Sequence, residues 1–500
     1  MSRQFKLSKS RLLAFRQCPK RLWLQTHRPE LAEVDSTASA LMANGTAVGE
    51  VFRSLYSNGV LIDDESLGDA LVSTREAQIN APDRPIFEAT FEANDVLVRI
   101  DLLAPSLAGY HLVEVKSSAS VKNYHLDDAA IQTWVAQAAG VPVTRTAIAH
   151  IDGSFIYSGD QQYQGLFVEK TIDRQIADRL PQVIHWVRDA QNMLAGDEPT
   201  IGAGHQCDEP FACPFLTYCA PIVNGPEYPV DILPRSQGLV AALKAEGYDD
   251  LRTVPDDRLE RMIHQKVWRV TQTGQAELSE EGRNIARALP YPRYYLDFET
   301  ISFAVPIWAG TRPYQQVPFQ FSCHIELAPG IVAPSGFLST DGQDPRRAFA
   351  EALINAVNAK LFAERGMQFN PMGPVLVYNA PFERSRIKEL AERFPDLAEQ
   401  LLAINVRMVD LLPITREHYY HPEMRGSWSL KAVLPTIGAG LGYDGMAVAN
   451  GSMAQEAYLE MIDPQTPFDR HCQLRESLVD YCAMDTYGLL QLVEFFSKEA

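Results

Sequence analysis

Residues 86–118 read IFEATFEANDVLVRIDLLAPSLAGYHLVEVKSS. Apolar residues recur there at every second position, and turn-forming clusters at AND and APSLAG interrupt the runs. A period of two is the signature of a strand, and short turns between such runs make an antiparallel meander. This stretch commits the first part of the chain to a sheet. Asp101 ends one run. Glu114 and Lys116 lie two apart in the next and so share a face. A hairpin sets the two runs side by side and brings all three groups to one end of the sheet. The following LDDAAIQTWVAQAAG has an acidic first turn and a glycine after its last, both helix signals, and it carries Gln132.

Phosphodiester cleavage needs such a set. Two carboxylates hold Mg²⁺ or Mn²⁺ through oxygen. The metal acidifies a water and offsets charge on the reacting phosphate. A lysine orients that water, and an amide such as Gln132 holds the water or the phosphate. Alone, E-x-K is more often a strand-face ion pair. Asp101, the hairpin and the Gln132 helix shift the balance toward the site.

A chain of 500 residues exceeds one ordinary core, so two or three domains are expected. No run of 18 apolar residues occurs, and the basic N-terminus lacks a signal-peptide core, so no membrane association is expected and the cytoplasm is the expected location. A net charge of -18 argues against indiscriminate polyanion binding. Residues 1–29 nevertheless carry eight Lys/Arg and no acid. This fits one nucleic-acid-facing surface or a solvated basic tail.

Leu12, Leu13, Phe15, Leu22 and Trp23 predict a helix over 8–26, and a second begins near Thr37. A strand over 145–151 and a helix over 173–195 complete a first domain, residues 1–222. Pro-rich PEYPVDILP opens a small helical connector over 223–290. From RYYLDFETISF a new α/β alternation fills a third region, 291–500.

Seven cysteines are too few for a secreted disulfide framework. Cys207, Cys213 and Cys219 are spaced C-x5-C-x5-C, wider than most zinc pairs, and Cys18 lies far upstream. Metal or cluster ligation competes with a set of buried structural thiols. Cys323, Cys472 and Cys482 are scattered and read as ordinary buried residues.

In the third region Asp297 and Glu299 stand two apart on an apolar strand, facing one side. Adjacent carboxylates repel and are costly to desolvate, a conflict that a shared divalent cation removes. GPVLVYNAPFE runs into a helix with Glu383 near its start. In LVDYCAMDTYGLLQLVEFF, Tyr481 and Asp485 are i and i+4 on one helix face. Four acids, two from one strand and one from each of two helices, can hold two metals close together, the two-metal clamp for in-line displacement, and Tyr481 is placed to orient the attacking water.

With those residues in view, the RID, VEVKSS and IQTW segments resemble the PD-(D/E)XK nucleases of the RecB type, including the CRISPR-associated RecB-like exonucleases. The resemblance implies that Asp101, Glu114 and the Val115 carbonyl bind metal, that Lys116 is catalytic and that Gln132 supports them. That family often places a metal-binding His on an early helix. GTAVGE puts Gly49 there, with Glu50 beside it as a substitute or with one ligand missing. The group also often holds a [4Fe–4S] cluster on one early and three late cysteines, which implies Cys18, Cys207, Cys213 and Cys219; zinc is the alternative. The third region is similar to DnaQ-like, RNase H-fold 3′–5′ exonucleases of the DEDDy pattern. Glu383 stands where that pattern normally has Asp, and Asp410 and Lys431 match positions that usually support the fold. Through YYLDFETISFAVPIWAGTRPYQQVPFQFSCH, nearly the whole chain is similar to a bacterial family of unknown function that fuses these two domains.

The expected protein is α/β: a PD-(D/E)XK restriction-endonuclease-like domain, a helical connector and a DnaQ-type mixed sheet with helices. The expected function is metal-dependent, exonucleolytic hydrolysis of nucleic acid, DNA ahead of RNA. The competing expectation is a nucleic-acid-binding or scaffolding protein with one or both sites degenerate.

Overall fold

A computed structural model describes residues 5–33, 38–220, 225–357 and 372–499. The fold is α/β and divides into two compact units. One comprises Met1–Ile222 with Phe303–Gln315, the other Val223–Ser302 with Gln316–Ala500.

The first unit is built on a seven-stranded mixed sheet: β1 (Leu7–Ser8), β2 (Val60–Leu61), β3 (Ile86–Ala93), β4 (Val96–Ser106), β5 (Gly109–Lys116), β6 (Val143–Ile151) and β7 (Phe167–Thr171). The order runs β2-β3-β4-β5-β6-β7, and β1 pairs with β4. β3, β4 and β5 form the antiparallel meander. β5 and β6 are parallel, so the chain crosses over between them through the helix Asn123–Ala138. Val96, Val98 and Ile100 are buried on one face of β4, and Leu97, Arg99 and Asp101 alternate with them. Gly109 opens β5 at φ 144°, where a Cβ would meet the Pro142 carbonyl oxygen at 2.1 Å. No other residue type tolerates that approach.

The single helix expected over 8–26 is two, Lys9–Gln17 and Pro19–His27. The apolar spacing runs through the break, but Pro19 forces Cys18 into extended backbone at φ −158°. The helix expected over 173–195 is likewise split, into Asp173–Ile176 and Leu180–Leu194. The start expected near Thr37 lies outside the described residues; Ala38–Ser54 is helical. In the same unit, Ala304 and Val305 join a cluster with Val48, Ile151 and Leu166.

The second unit holds a five-stranded sheet and a short ladder. The ladder pairs β8 (Glu277–Leu278) with β14 (Tyr419–Tyr420). The sheet contains β9 (Arg293–Ile301), β10 (Val317–Ala328), β11 (Ile331–Leu338), β12 (Val375–Val377) and β13 (Met408–Asp410), in the order β11-β10-β9-β12-β13. β9, β10 and β11 are antiparallel, and β12 and β13 run parallel to β9. The 30-residue helix Phe468–Ser497 lies against β9 and β10. Of residues 223–290, expected as a helical connector, the described part (225–290) carries helices and the short strand β8, and it shares a core with this unit. Val230, Leu243, Val267 and Val270 cluster with Tyr295, Leu376, Leu489 and Phe496. Among the described residues no helix is long and apolar enough to cross a membrane.

Candidate functional site

Each unit carries one set of carboxylates, and the two sets differ in how their charge is balanced.

In the first unit Glu114 is 1% exposed and its oxygens are fully engaged. Lys116 Nζ donates to Oε1 at 2.6 Å, Lys9 Nζ donates to the same oxygen at 2.8 Å, and Gln132 Nε2 donates to Oε2 at 2.6 Å. Lys116 also donates to Asp128 at 2.5 Å, and Gln132 Nε2 to Asp128 at 3.0 Å. Asp101 accepts the Val115 N–H at 2.7 Å, which ties β4 to β5 beside the site. Burial by itself would raise the Glu114 pKa, but the charges of Lys116 and Lys9 hold it well below the usual range. For Asp101 the balance is the reverse: burial and the Glu114 charge outweigh the Lys9 and Lys116 charges and push it up to about 8.

The structure thus brings together Asp101, Glu114, Lys116 and Gln132, and adds three residues that the sequence reading missed. Asp128 had a signal, since it lies four residues before Gln132 on one helix face. Lys9, 105 residues from Glu114 in sequence, had none. Glu88 is the third. Ala89 pairs with Ile100 and Phe87 with Leu102, so Glu88 stands opposite Asp101. Its φ of 57° breaks the alternation of β3. Glu88, Asp101, Val115 and Lys116 line one cleft of about 640 Å³, together with Gly49. Glu50 is exposed and outside that lining. The substitute carboxylate expected from Glu50 is therefore not at the cleft.

The four cysteines are neighbours: the charges of Cys18, Cys207 and Cys213 act on Cys219, and the Cys213 N–H donates to the Cys207 carbonyl at 2.7 Å. Burial raises the Cys213 and Cys219 thiols. Among the described residues these thiols do not form a group of three within 4.8 Å.

In the second unit Asp297 and Glu299 lie on β9, with Ser322 and Gln320 as their register partners on β10. Asp485 comes from the long C-terminal helix. Ligand oxygens of these three acids lie within 4.8 Å of one another. Glu383 lies in the first turn of the helix Pro381–Arg393 and is 2% exposed; its Oε2 is buried and has no hydrogen-bond partner. Burial, then the Asp485, Glu299 and Glu383 charges, push Asp297 well above the usual range. Burial, then Asp485, lifts Glu299 to about 8. Burial lifts Glu383 to about 8 and Asp485 to about 6. The buried Tyr481 hydroxyl is raised by burial and then by the Glu299, Asp485 and Asp297 charges, so it faces the same acids.

Two further residues meet this site. Tyr443 donates its hydroxyl to Asp485 Oδ1. Lys431 lies 4.9 Å from the Tyr443 ring centre and 5.8 Å from that of Tyr481, and its charge lowers the pKa of both Glu299 and Asp485. Asp410 supports the fold here: it accepts the N–H groups of Asn379, Ala380 and Leu412, each at 3.0 Å. Those bonds fix the turn that leads into the Glu383 helix. Cys482 is buried and donates its thiol to the Asp297 carbonyl at 3.8 Å.

Residues 294–429 match the family described as "Domain of unknown function (DUF2779)". The chain is similar to Uncharacterized protein UU173 of Ureaplasma parvum, 22% identical over 52% of this chain and 39% of that protein. It is also similar to Uncharacterized protein MG366 homolog of Mycoplasma pneumoniae, 24% identical over 43% of this chain and 34% of that protein. The chain thus spans well under half the length of these curated relatives. Among solved structures, the crystal structure of SSO0001 is 14% identical, with a TM-score of 0.23, over 44% of this chain and 88% of that one.

Proposed function

We propose that the protein is a metal-dependent nuclease with two hydrolytic sites, acting on DNA ahead of RNA. In this reading the first unit is a RecB-like PD-(D/E)XK domain and the second a DnaQ-like exonuclease domain of the DEDDy pattern. One observation carries it. Asp297, Glu299 and Asp485 converge within 4.8 Å, and a fourth carboxylate, Glu383, has a buried oxygen with no partner. Four crowded acids with raised pKa values are a poor core, because each loses solvation and repels the others. The donor set is all oxygen, which suits Mg²⁺ or Mn²⁺.

Asp297, Glu299, Glu383 and Asp485 would hold the ions, which supply Lewis acidity and a metal-lowered water pKa. Tyr481 is placed to orient water. Lys431 balances part of the acidic charge and offers a cation to a phosphate. Tyr443 fixes the orientation of the Asp485 carboxylate. At the first site Asp101 and Glu114 would hold an ion, with the Val115 carbonyl beside them, while Lys116 and Gln132 orient water and phosphate. The four thiols suit iron–sulfur ligation.

Digestion of 5′- and 3′-labelled single strands with Mg²⁺ or Mn²⁺ tests the reading. Glu114→Gln and Lys116→Ala should each remove one activity. No cleavage by the parent protein with either metal would favour the scaffolding alternative. For the cluster, Cys18→Ser should lose iron from anaerobically purified protein; a parent without iron or sulfide would refute that part.

A further inference from the structure

The first site contains one lysine more than its chemistry demands. Lys9 and Lys116 donate to the same oxygen of Glu114, at 2.8 and 2.6 Å. Two ammonium groups on one oxygen repel each other, so one is held less firmly. Lys116 is the firmer. It lies on β5 and donates in addition to Asp128 at 2.5 Å, whereas Lys9 stands 3.5 Å from the other Asp128 oxygen. The two side chains are similarly exposed, 25% for Lys9 and 20% for Lys116, so the difference between them lies in their partners.

The backbone that delivers Lys9 is fixed. Leu7 and Ser8 pair with Val96 and Leu97 of β4, the strand that carries Asp101. Ser8 caps the helix that Lys9 begins, accepting the Arg11 N–H at 3.3 Å. Only the flexible four-carbon stem is left to move. The charges complete the case. Lys9 and Lys116 balance Glu114 and Asp128 with no ion present. A divalent ion on Asp101 and Glu114 would leave this network one positive charge in excess, even with Asp101 ionised, because Glu88 in the same cleft is balanced by Arg53 at 3.8 Å. A phosphodiester carries the one negative charge that removes the excess.

We propose that Lys9 is a resident counter-ion of Glu114, displaced when a divalent cation binds there, and that it then pairs with a phosphate of the substrate. This inference rests on the reading of the first site as a metal-dependent hydrolytic centre. It makes Lys9 a positioning residue before metal arrives and a substrate contact afterwards. It also predicts that metal affinity and substrate use respond to Lys9 in opposite directions, which a purely structural lysine would not produce.

The test uses the full chain with Asp297→Asn and Asp485→Asn to silence the second site. Mn²⁺ binding is measured by calorimetry, and cleavage of a labelled single strand is measured in parallel. Lys9→Met should tighten Mn²⁺ binding about tenfold, since a competing like charge is gone. It should also lower kcat/KM by about tenfold or more, chiefly through KM. Lys9→Arg keeps the charge and should stay near the parent in both. Mn²⁺ binding that is unchanged or weaker in Lys9→Met would overturn the inference. Asp101→Asn separates the two levels. If Asp101→Asn loses Mn²⁺ while Lys9→Met fails to tighten it, the metal centre stands and the role of Lys9 falls. If the parent binds no Mn²⁺ that Asp101→Asn removes, both fall together.

Discussion

The two carboxylate sets answer the same physical problem in opposite ways. Glu114 is buried among cations and an amide: two lysines and Gln132 satisfy both its oxygens, and its pKa lies below the ordinary range. Glu299 and Glu383 are buried and Asp297 and Asp485 half-buried, chiefly among one another, and all four have raised pKa values. A buried charge must be paired, hydrogen-bonded or protonated. The first set is paired within the chain. The second set holds protons, or a cation from outside, because Lys431 and the Tyr443 hydroxyl cannot balance four acids. Glu114 is therefore charge-balanced within the chain, while the second set would need a bound cation to be fully ionised near neutral pH.

The largest expected effect tests the second set by function. Asp297→Ala and Asp485→Ala should each reduce 3′–5′ degradation at least about a thousandfold, ~4 kcal/mol of lost transition-state stabilisation. The double variant should be little worse than either single one, because ligands of one centre act as a unit. Additive losses, read from single-turnover rates, would mean that the two acids act separately.

Next is the response to pH. In the folded chain Glu299 and Glu383 titrate near 8 and Asp485 near 6, against an ordinary value of about 4. Between those limits the folded state holds more protons than the unfolded one, so these groups make stability fall as pH rises. Metal-free protein should unfold at a lower temperature at pH 8 than at pH 5, and Mn²⁺ should restore more at pH 8. Asp101 adds a contribution of the same sign from the first unit, whereas Glu114, with its lowered pKa, loses stability only when pH falls below the ordinary range. Asp297→Asn with Glu299→Gln should flatten the slope, on the order of 1 kcal/mol per pKa unit removed. Melting curves across pH with a chelator present measure it; an unchanged slope would remove the contrast between the sites.

Much of this second site was legible in the sequence because its residues obey local periods. Asp297 and Glu299 share a strand face, and Tyr481 and Asp485 share a helix face. The first site was legible along β5, at Asp101 in the middle of β4 and at Gln132 on the helix that follows. Lys9 reaches Glu114 through β1, a pairing of two residues that no period announces. Glu88 is hidden for a different reason: a positive φ turns it against the alternation that makes its neighbours readable. The helix break at Cys18 shows the converse, since Pro19 marks it even though the apolar spacing runs through it. Lys431 and Tyr443 are brought to the acids by tertiary packing alone.

Smaller effects sharpen the comparison. Glu383→Gln should weaken Mn²⁺ binding at the second site and stabilise the metal-free protein at pH 8, because it removes a buried, unpartnered charge. Glu383→Asp should keep metal binding if the carboxylate itself is a ligand. Equal loss in both variants would mean that the site is built around the longer side chain. No effect from either would remove Glu383 from the ligand set. Asp410→Ala should cost about 2 kcal/mol by stranding backbone donors, seen as a lower denaturation midpoint. It should move the Glu383 helix without altering metal binding at Glu114.

Crystals of the full chain grown with Mn²⁺ at pH 8 test the central claim most directly, through the anomalous difference map. If these acids hold the ions, Mn²⁺ peaks lie bonded to Asp297, Glu299, Glu383 and Asp485, with ionised carboxylates around them. A map with no Mn²⁺ at these four acids would contradict it and leave them a buried, proton-sharing cluster.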